Sequence, residues 1–326
     1  MAATYTFSQG TLPFHTDFQL AGARCFLSTN SHQVLRAAER WRWETTDPAG
    51  TFEMQLIVDS KMNAVKPRGG HFRGLRHLVF ASLPPQGFLV YDLLRRRVTG
   101  VLSPCAMQDD AFWNTFLMPI TIGIMGTTMG VAPLHCACLD RKGDGILLAG
   151  ISGAGKSTLT AALGQRGFAV VSDDWTYVTT ADNSLVGHGL GAPIKLLPDA
   201  AQFFPNLRDC RLSKTLNGEM AYEVDPRRAT GLKTKEASRP RWILFLERTE
   251  TQGCALVPCD REYVVEFFER SAELLPEELR EAQLTRSRII RLLSECPAWI
   301  LRTGESPQRT AAAIDEFLLE AHYATA

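Results

Sequence analysis

Gly150-Ile151-Ser152-Gly153-Ala154-Gly155-Lys156-Ser157-Thr158 stands between an apolar run, Gly145 to Ala149, and an amphipathic one, Leu159 to Leu163. The spacing is that of a complete phosphate-binding loop. Its glycines let backbone N–H groups curl around a β-phosphate, Lys156 reaches the β/γ oxygens, and the Ser157 hydroxyl can ligate Mg²⁺. The helix that follows aims its N-terminus at the anion. Strand, loop, Lys-Ser-Thr and helix in this order predict a site for ATP or GTP, with Gly150 to Thr158 as the binding residues, rather than a chance Gly-rich turn.

The rest of the composition bounds what such a site can serve. At 326 residues, 45% hydrophobic and 21% charged, the chain is long enough for one large domain or two ordinary ones with a substantial core. Lysine plus arginine equals aspartate plus glutamate, 35 each, so no global field favours nucleic acid, anionic membrane or acidic substrates. The eight cysteines are scattered without Cys-x-x-Cys pairs, and Met1 to Gly10 lacks the basic flank and apolar core of a signal peptide. The expectation is a cytoplasmic protein with reduced thiols. From Ala111 to Leu139 there is no charged residue, but Asn114, Pro119, Gly123 and Gly126 interrupt the apolar length, so a buried helix is expected there and no membrane span.

Before the loop, Ala23 to Leu27 is strand-like, Ser28 to Asn30 supply caps for a helix from His32 to about Trp43, and apolar runs then alternate with Pro/Gly turns. This predicts a small N-terminal α/β domain over residues 1–106. The Gly-rich basic segment from Lys66 to Arg76 reads as a solvated loop, though it could grip a phosphate or an acidic peptide. From residue 107 to 326 the pattern predicts a second domain, containing the uncharged helix. In it Leu134 to Leu139 reads as one strand, Asp140 to Gly145 as a hairpin turn, Lys156 to Gln165 as a helix ending at Arg166-Gly167, and Phe168 to Ser172 as a buried strand. Further strands at Trp242 to Leu246 and Ala298 to Leu301 and three helices complete the tail. The helices run from Arg261 to about Leu274, Pro276 to Ser294, and Pro307 to about Ala321.

A carboxylate at a strand end near a γ-phosphate can hold Mg²⁺ or accept a proton from an attacking hydroxyl. Asp173-Asp174 occupies such a place, because the second strand returns to the sheet edge from which the loop emerges. Neighbours in extended chain point opposite ways, so the two should differ in role. Glu247, ending Ile243-Leu244-Phe245-Leu246, is a rival metal carboxylate of lower rank. His135 stands on the strand that hairpins into the loop strand, where it could be a core residue or face the phosphates. In an unbroken strand Cys136 and Cys138 share the face opposite His135, so His135-Cys136-Ala137-Cys138 is not expected to bind metal.

With these residues in place, His135 through Asp174 resembles the catalytic core of bacterial HPr kinase/phosphorylase and its HPr-kinase-like relatives, whose fold is related to phosphoenolpyruvate carboxykinase. The resemblance rests on Leu134-His135, Gly143 to Gly145, Gly150 to Ser157, Arg166-Gly167 and Asp173-Asp174, without gaps. It implies an α/β P-loop kinase core with a twisted mixed sheet, and ATP and Mg²⁺ as cofactors. By the same resemblance Lys156 binds the transferring phosphate, Ser157 and Asp173 lie on the metal side, Asp174 is the base toward a serine hydroxyl, and His135 orients or balances charge at the phosphate.

The likeness covers about forty residues and then departs. The family places a metal-binding Glu and an Arg before a Gly-Leu-Gly turn. Here Gly189-Leu190-Gly191 is preceded by Val186 and His188 in those places. The later catalytic arginine has no single counterpart among Arg227, Arg228, Arg239, Arg241 and Lys214. The reverse reaction of the family, phosphorolysis of phosphoserine, is therefore not carried over, and HPr itself is not the expected acceptor. The leading expectation is a serine kinase acting on a protein or peptide. A small-molecule alcohol kinase, a non-catalytic nucleotide-binding regulator and a motor-type ATPase are the alternatives. The uncharged helix could also bury a homo-oligomer contact.

Overall fold

The computed structural model describes residues 11–39, 41, 48–62, 71–182, 184–210, 212–214, 219–226, 228, 231–270 and 277–325. Contacts divide the chain into two compact units, Met1–Met129 with Leu275–Ala282, and Gly130–Leu274 with Gln283–Ala326.

The first unit is built on a seven-stranded sheet of β1 (Phe14–Leu20), β2 (Ala23–Thr29), β3 (Gly50–Val58), β4 (His71–Leu75), β5 (Leu78–Leu83), β6 (Gly87–Asp92) and β7 (Arg97–Leu102), in the order β1-β2-β3-β7-β6-β5-β4. Helix α1 (His32–Glu39) lies between β2 and the parallel β3. Alternation along the strands sends Phe52, Met54, Leu56, Leu89, Tyr91 and Val98 to one buried face. Residues 66–70 of the basic segment lie outside the described residues, and His71–Leu75 of it forms exposed β4.

The uncharged stretch becomes a π-helical turn, Phe112–Leu117, then α2 (Met118–Met125), then a 3₁₀ turn, Gly126–Met129. Among the described residues no helix is long and apolar enough to cross a membrane. The boundary between units falls at Met129, beyond the 106/107 division expected from the sequence. The reason is that this stretch engages the first sheet: Tyr91 Oη lies 3.4 Å from Thr121 Oγ1, and the Arg96 guanidinium donates to the Thr128 carbonyl at 2.8 Å. Sequence spacing alone carries no information about which sheet an all-apolar helix covers.

The second unit opens with β8 (Ala132–Leu134), β9 (Ala137–Arg141), β10 (Asp144–Ala149), α3 (Lys156–Gln165), β11 (Ala169–Ser172), β12 (Thr176–Ala181), β13 (Ser184–His188) and β14 (Ile194–Leu196). It continues with β15 (Leu212–Lys214), β16 (Met220–Val224), β17 (Lys233–Thr234), β18 (Ala237–Arg248), β19 (Cys254–Pro258), α4 (Arg261–Arg270), α5 (Arg280–Leu293), β20 (Ala298–Thr303) and α6 (Pro307–Thr325). Strands β14 to β16 form a small sheet of their own. The main sheet is mixed and runs β17-β11-β9-β10-β18-β13-β12-β8, with β20 also against β18 and β19 against β20. Strands β10, β18 and β20 are mutually parallel neighbours, whereas β9 is antiparallel to both β10 and β11.

Both faces of this sheet are covered, which explains why β10 and β18 read as continuous apolar runs. Ile146, Leu148, Leu244 and Leu246 face α3 and α6 through Leu159, Leu163, Ile314 and Leu318. The alternate residues Leu147, Ala149, Ile243 and Phe245 face α4 and α5 through Val264, Phe268, Ile289 and Leu293. Each of the Leu, Ile, Val and Phe side chains among these contributes roughly 1.5–3 kcal/mol by leaving water, so the strand that carries the glycine-rich loop is held rigidly on both sides.

Candidate active site

The glycine-rich loop leaves the C-terminal end of β10 and enters α3. Gly150, Gly153 and Gly155 have φ of 155°, 80° and 93°, and Gly155 is the left-handed N-cap of the helix. Side chains at Gly153 and Gly155 would strain the backbone that the loop needs. Lys156 folds back inside the loop, donating from Nζ to the Gly150 carbonyl at 2.8 Å and the Ile151 carbonyl at 3.2 Å. Burial pulls its ammonium below the usual value, and Asp174, Cys136 and Asp173 pull the other way.

Strand β11 ends at Ser172, and a bend delivers Asp173 and Asp174 to the same edge. Their environments push them apart. Asp173 is 5% exposed. Burial drives its carboxyl up to about 6; the Ser157 hydroxyl, the Lys195 N–H and the Thr160 hydroxyl offset part of this, while the Asp174 charge adds to it. Lys195 N donates to Asp173 Oδ2 at 3.3 Å, and Asp173 Oδ1 is buried without a hydrogen-bond partner. For Asp174, burial also works against the charge, but the hydrogen bond and charge of His135, together with Lys195 and Lys156, outweigh it and hold the carboxyl below its usual range. A pair of carboxyls separated in this way divides the labour at one site.

His135 reaches Asp174 by a route that the strand pattern does not reveal. The expected single strand from Leu134 to Leu139 is broken: β8 ends at Leu134, β9 begins at Ala137, and His135-Cys136 forms a bend between them. β8 pairs with β12 and β9 with β10 and β11, so the chain must change partners at this point. The bend swings the imidazole out, and His135 Nε2 lies 3.0 Å from Asp174 Oδ1. The exposed Trp175 ring leans on the imidazole at 5.4 Å between centroids. Cys136 and Cys138 stay in the core, burial pushing the Cys136 thiol up to about 12.

The rival acid Glu247 points elsewhere. Leu246 and Arg248 flank it on β18 and turn toward the loop at Gly150 and Gly155. Alternation therefore sends Glu247 to the other face, where its carboxylate takes Arg302 at 3.1 Å. His188 is buried against Thr179 Oγ1 at 2.9 Å, and burial lowers its ring to about 4, so it is neutral at physiological pH. A Cβ on the following Gly189 would come within 1.7 Å of the Val171 carbonyl oxygen, so that glycine is a packing requirement of the turn. Arg239 is level with Asp144 at the start of β10, and Arg241 holds Asp144 at 3.4 Å. Both lie at the end of the sheet opposite the loop, about 17 Å away along a six-residue strand. Arg228 pairs with Asp225, and Arg227 lies outside the described residues.

Mg²⁺ takes oxygen ligands and keeps several waters, so two protein oxygens beside a phosphate chain suffice. Ser157 Oγ and the unpartnered Asp173 Oδ1 fit that donor set. Among the described residues no three His, Cys, Asp or Glu side chains gather as a dedicated metal cluster. Lys195, Thr160, Trp175 and Arg248 also surround the loop and the carboxyls, and no motif in the sequence marks them.

The buried carboxyl has a measurable consequence. The reference value of Asp173 is 3.8 and its folded value about 6, so the unfolded chain ionises first as pH rises. Stability falls between these two values and levels off above pH 6. Asp173→Asn removes that cost, and urea unfolding should find the variant more stable than the wild type at pH 8 by up to about 3 kcal/mol. Most of that advantage should be gone at pH 4. An advantage independent of pH would contradict the burial of a charge.

No family model and no curated protein matches the chain. Among solved structures, the Hpr(Ser) kinase/phosphatase from Coxiella burnetii is similar at 16% identity and a TM-score of 0.32, over 59% of this chain and 91% of that one.

Proposed function

We propose that the chain is an ATP- and Mg²⁺-dependent kinase that transfers the γ-phosphate to a serine-type hydroxyl of a protein or peptide. The observation that supports this reading is the hydrogen-bonded His135–Asp174 pair set beside Lys156 at the mouth of the glycine-rich loop. A loop that only sensed nucleotide would have no use for an ionised carboxylate held next to it.

Each residue then has one task. Lys156 and the loop N–H groups bind the phosphates, and Ser157 with Asp173 would hold Mg²⁺, which supplies charge neutralisation at the β and γ oxygens. Asp174 fixes the attacking hydroxyl and takes its proton as the acceptor oxygen bonds to phosphorus and the β–γ bridging oxygen leaves with its electron pair on ADP. Because bond breaking leads in phosphoryl transfer, a carboxylate of low basicity is an adequate acceptor late in the step. His135 keeps Asp174 ionised and aimed, and Lys195 adds positive charge on the same side.

Mass spectrometry of phosphate transfer from ATP·Mg²⁺ tests the reading against a serine-containing peptide library, HPr and a panel of free alcohols. The expected result is a phosphorylated peptide serine. Phosphorylation confined to free alcohols would move the acceptor class to small molecules. Tight ATP binding with no transfer to any of them would overturn the kinase reading in favour of a regulator.

A further inference from the structure

Arg248 ends β18 on the face that looks at the loop, and its guanidinium reaches the helix end of it. A Cβ built on Gly155 would lie 3.0 Å from Arg248 Nη2, 3.3 Å from Nε and 3.6 Å from Cζ. Both nitrogens are closer than the carbon, so the Nε–Nη2 edge faces the loop. That edge carries the two parallel donors that match a phosphate. Among the described residues the Arg248 side chain makes no hydrogen bond or ion pair, in contrast to Arg302 on the adjacent β20 and Arg241 nearer the start of β18. That edge lies beside the loop without bonding to it.

A shallow open cleft adjoins it, between the loop, the ends of β18 and β20 and the start of α6. Leu159, Leu246 and Pro307 give it apolar walls, and Thr303 and Glu305 give it a polar rim. Its position also fixes a direction. At the C-terminal edge of the sheet the neighbours run β11, β9, β10, β18, β20. At about 4.8 Å per strand, the Asp173-Asp174 end and the cleft end stand roughly 19 Å apart with the loop between them. A nucleotide whose γ-phosphate meets Lys156 and Asp174 has its nucleoside over β18 and β20.

We propose that Arg248 grips the α-phosphate of the nucleotide and that the adjoining cleft seats the nucleoside. The inference rests on the orientation of the nucleotide in the kinase reading. Calorimetry on the full chain with Mg²⁺ and ATP, ADP or inorganic tripolyphosphate tests it, for wild type, Arg248→Ala and Arg248→Lys. The wild type is expected to bind ATP at least about tenfold tighter than tripolyphosphate. Arg248→Ala should weaken ATP and ADP alike by about tenfold or more, a loss of about 1.4 kcal/mol. Arg248→Lys should recover part of that. Arg248 is exposed, so an unchanged melting temperature for both variants is the control for folding. Loss of ATP but not ADP affinity would place Arg248 at the γ-phosphate and overturn the proposal. So would equal binding of ATP and tripolyphosphate by the wild type, or no effect of either variant. A wild type that binds none of the three would instead sink the kinase reading as a whole.

Discussion

Asp174→Asn is expected to lower phosphoryl transfer by about 10²–10⁴-fold, the range of a lost general base, and to leave ATP affinity unchanged or improved. The two effects have opposite signs for one reason. The carboxylate is held ionised next to Lys156 and Lys195, and in the proposed reaction it takes a proton during transfer but repels the anionic phosphates before it. Asn keeps the shape and a hydrogen-bonding oxygen for His135 Nε2, 3.0 Å away in the wild type, while removing both the charge and the basicity. Single-turnover transfer and calorimetric ATP binding, measured on the same preparation, separate these contributions. A variant that transfers phosphate at near wild-type rate would remove Asp174 from the mechanism. One that fails to bind ATP would mean that the carboxylate shapes the loop.

For Lys156→Ala the expected outcome is a loss of nucleotide binding, about 10²-fold or more in ATP affinity, with transfer below detection. Truncating one partner of a buried charge pair costs about 2–5 kcal/mol, and here the partner is the phosphate chain. The fold should survive, because Lys156 in the free protein bonds only to the Gly150 and Ile151 carbonyls of its own loop and carries a desolvation cost that alanine does not. Circular dichroism and thermal melting should therefore show a variant as stable as the wild type or slightly more so. Wild-type ATP affinity in Lys156→Ala would mean that residues 150–158 are a packing turn and not a phosphate cradle.

These two residues also show how far the sequence could be read. Lys156 sits in a local motif: loop, lysine and helix occupy consecutive positions, and backbone conformation carries them without help from distant residues. Gly153 and Gly155 take the positive φ that their type permits, so residue identity and geometry coincide. Asp174 was legible at one remove, through the rule that a strand flanking the loop strand returns to the same edge. His135 was harder. Period-two alternation over residues 134–139 predicts an unbroken strand, whereas the change of partner from β12 to β9's neighbours forces a bend at His135-Cys136 that no propensity marks.

Glu247 and Arg248 show the opposite case, in which a strand-end acid drew attention and the arginine beside it did not. The acid is turned away and neutralised by Arg302, and the arginine lies against Gly155. The register of β18 between β10 and β20 decides this, and register is a property of three strands far apart in the chain. The placement of the uncharged helix is a decision of the same kind. Its composition establishes that it is buried, and tertiary contacts such as Tyr91–Thr121, Arg96–Thr128 and Phe72–Phe116 attach it to the first sheet.

What the sequence by itself determined about this protein is therefore local: a glycine-rich loop of phosphate-binding pattern between a buried strand and a helix, an acid pair at the next strand's end, and two mixed α/β segments with enough apolar surface to fold. Backbone conformation and hydrophobic periodicity act over a few residues and are written in residue type. Tertiary structure alone decided which side chains meet at the sheet edge. Burial raises Asp173 and ionic neighbours lower Asp174, Lys195 reaches both from β14, and Arg248 faces the loop from β18. Such meetings depend on strand register and on desolvation by the whole surrounding core, and neither quantity exists until the distant segments have packed.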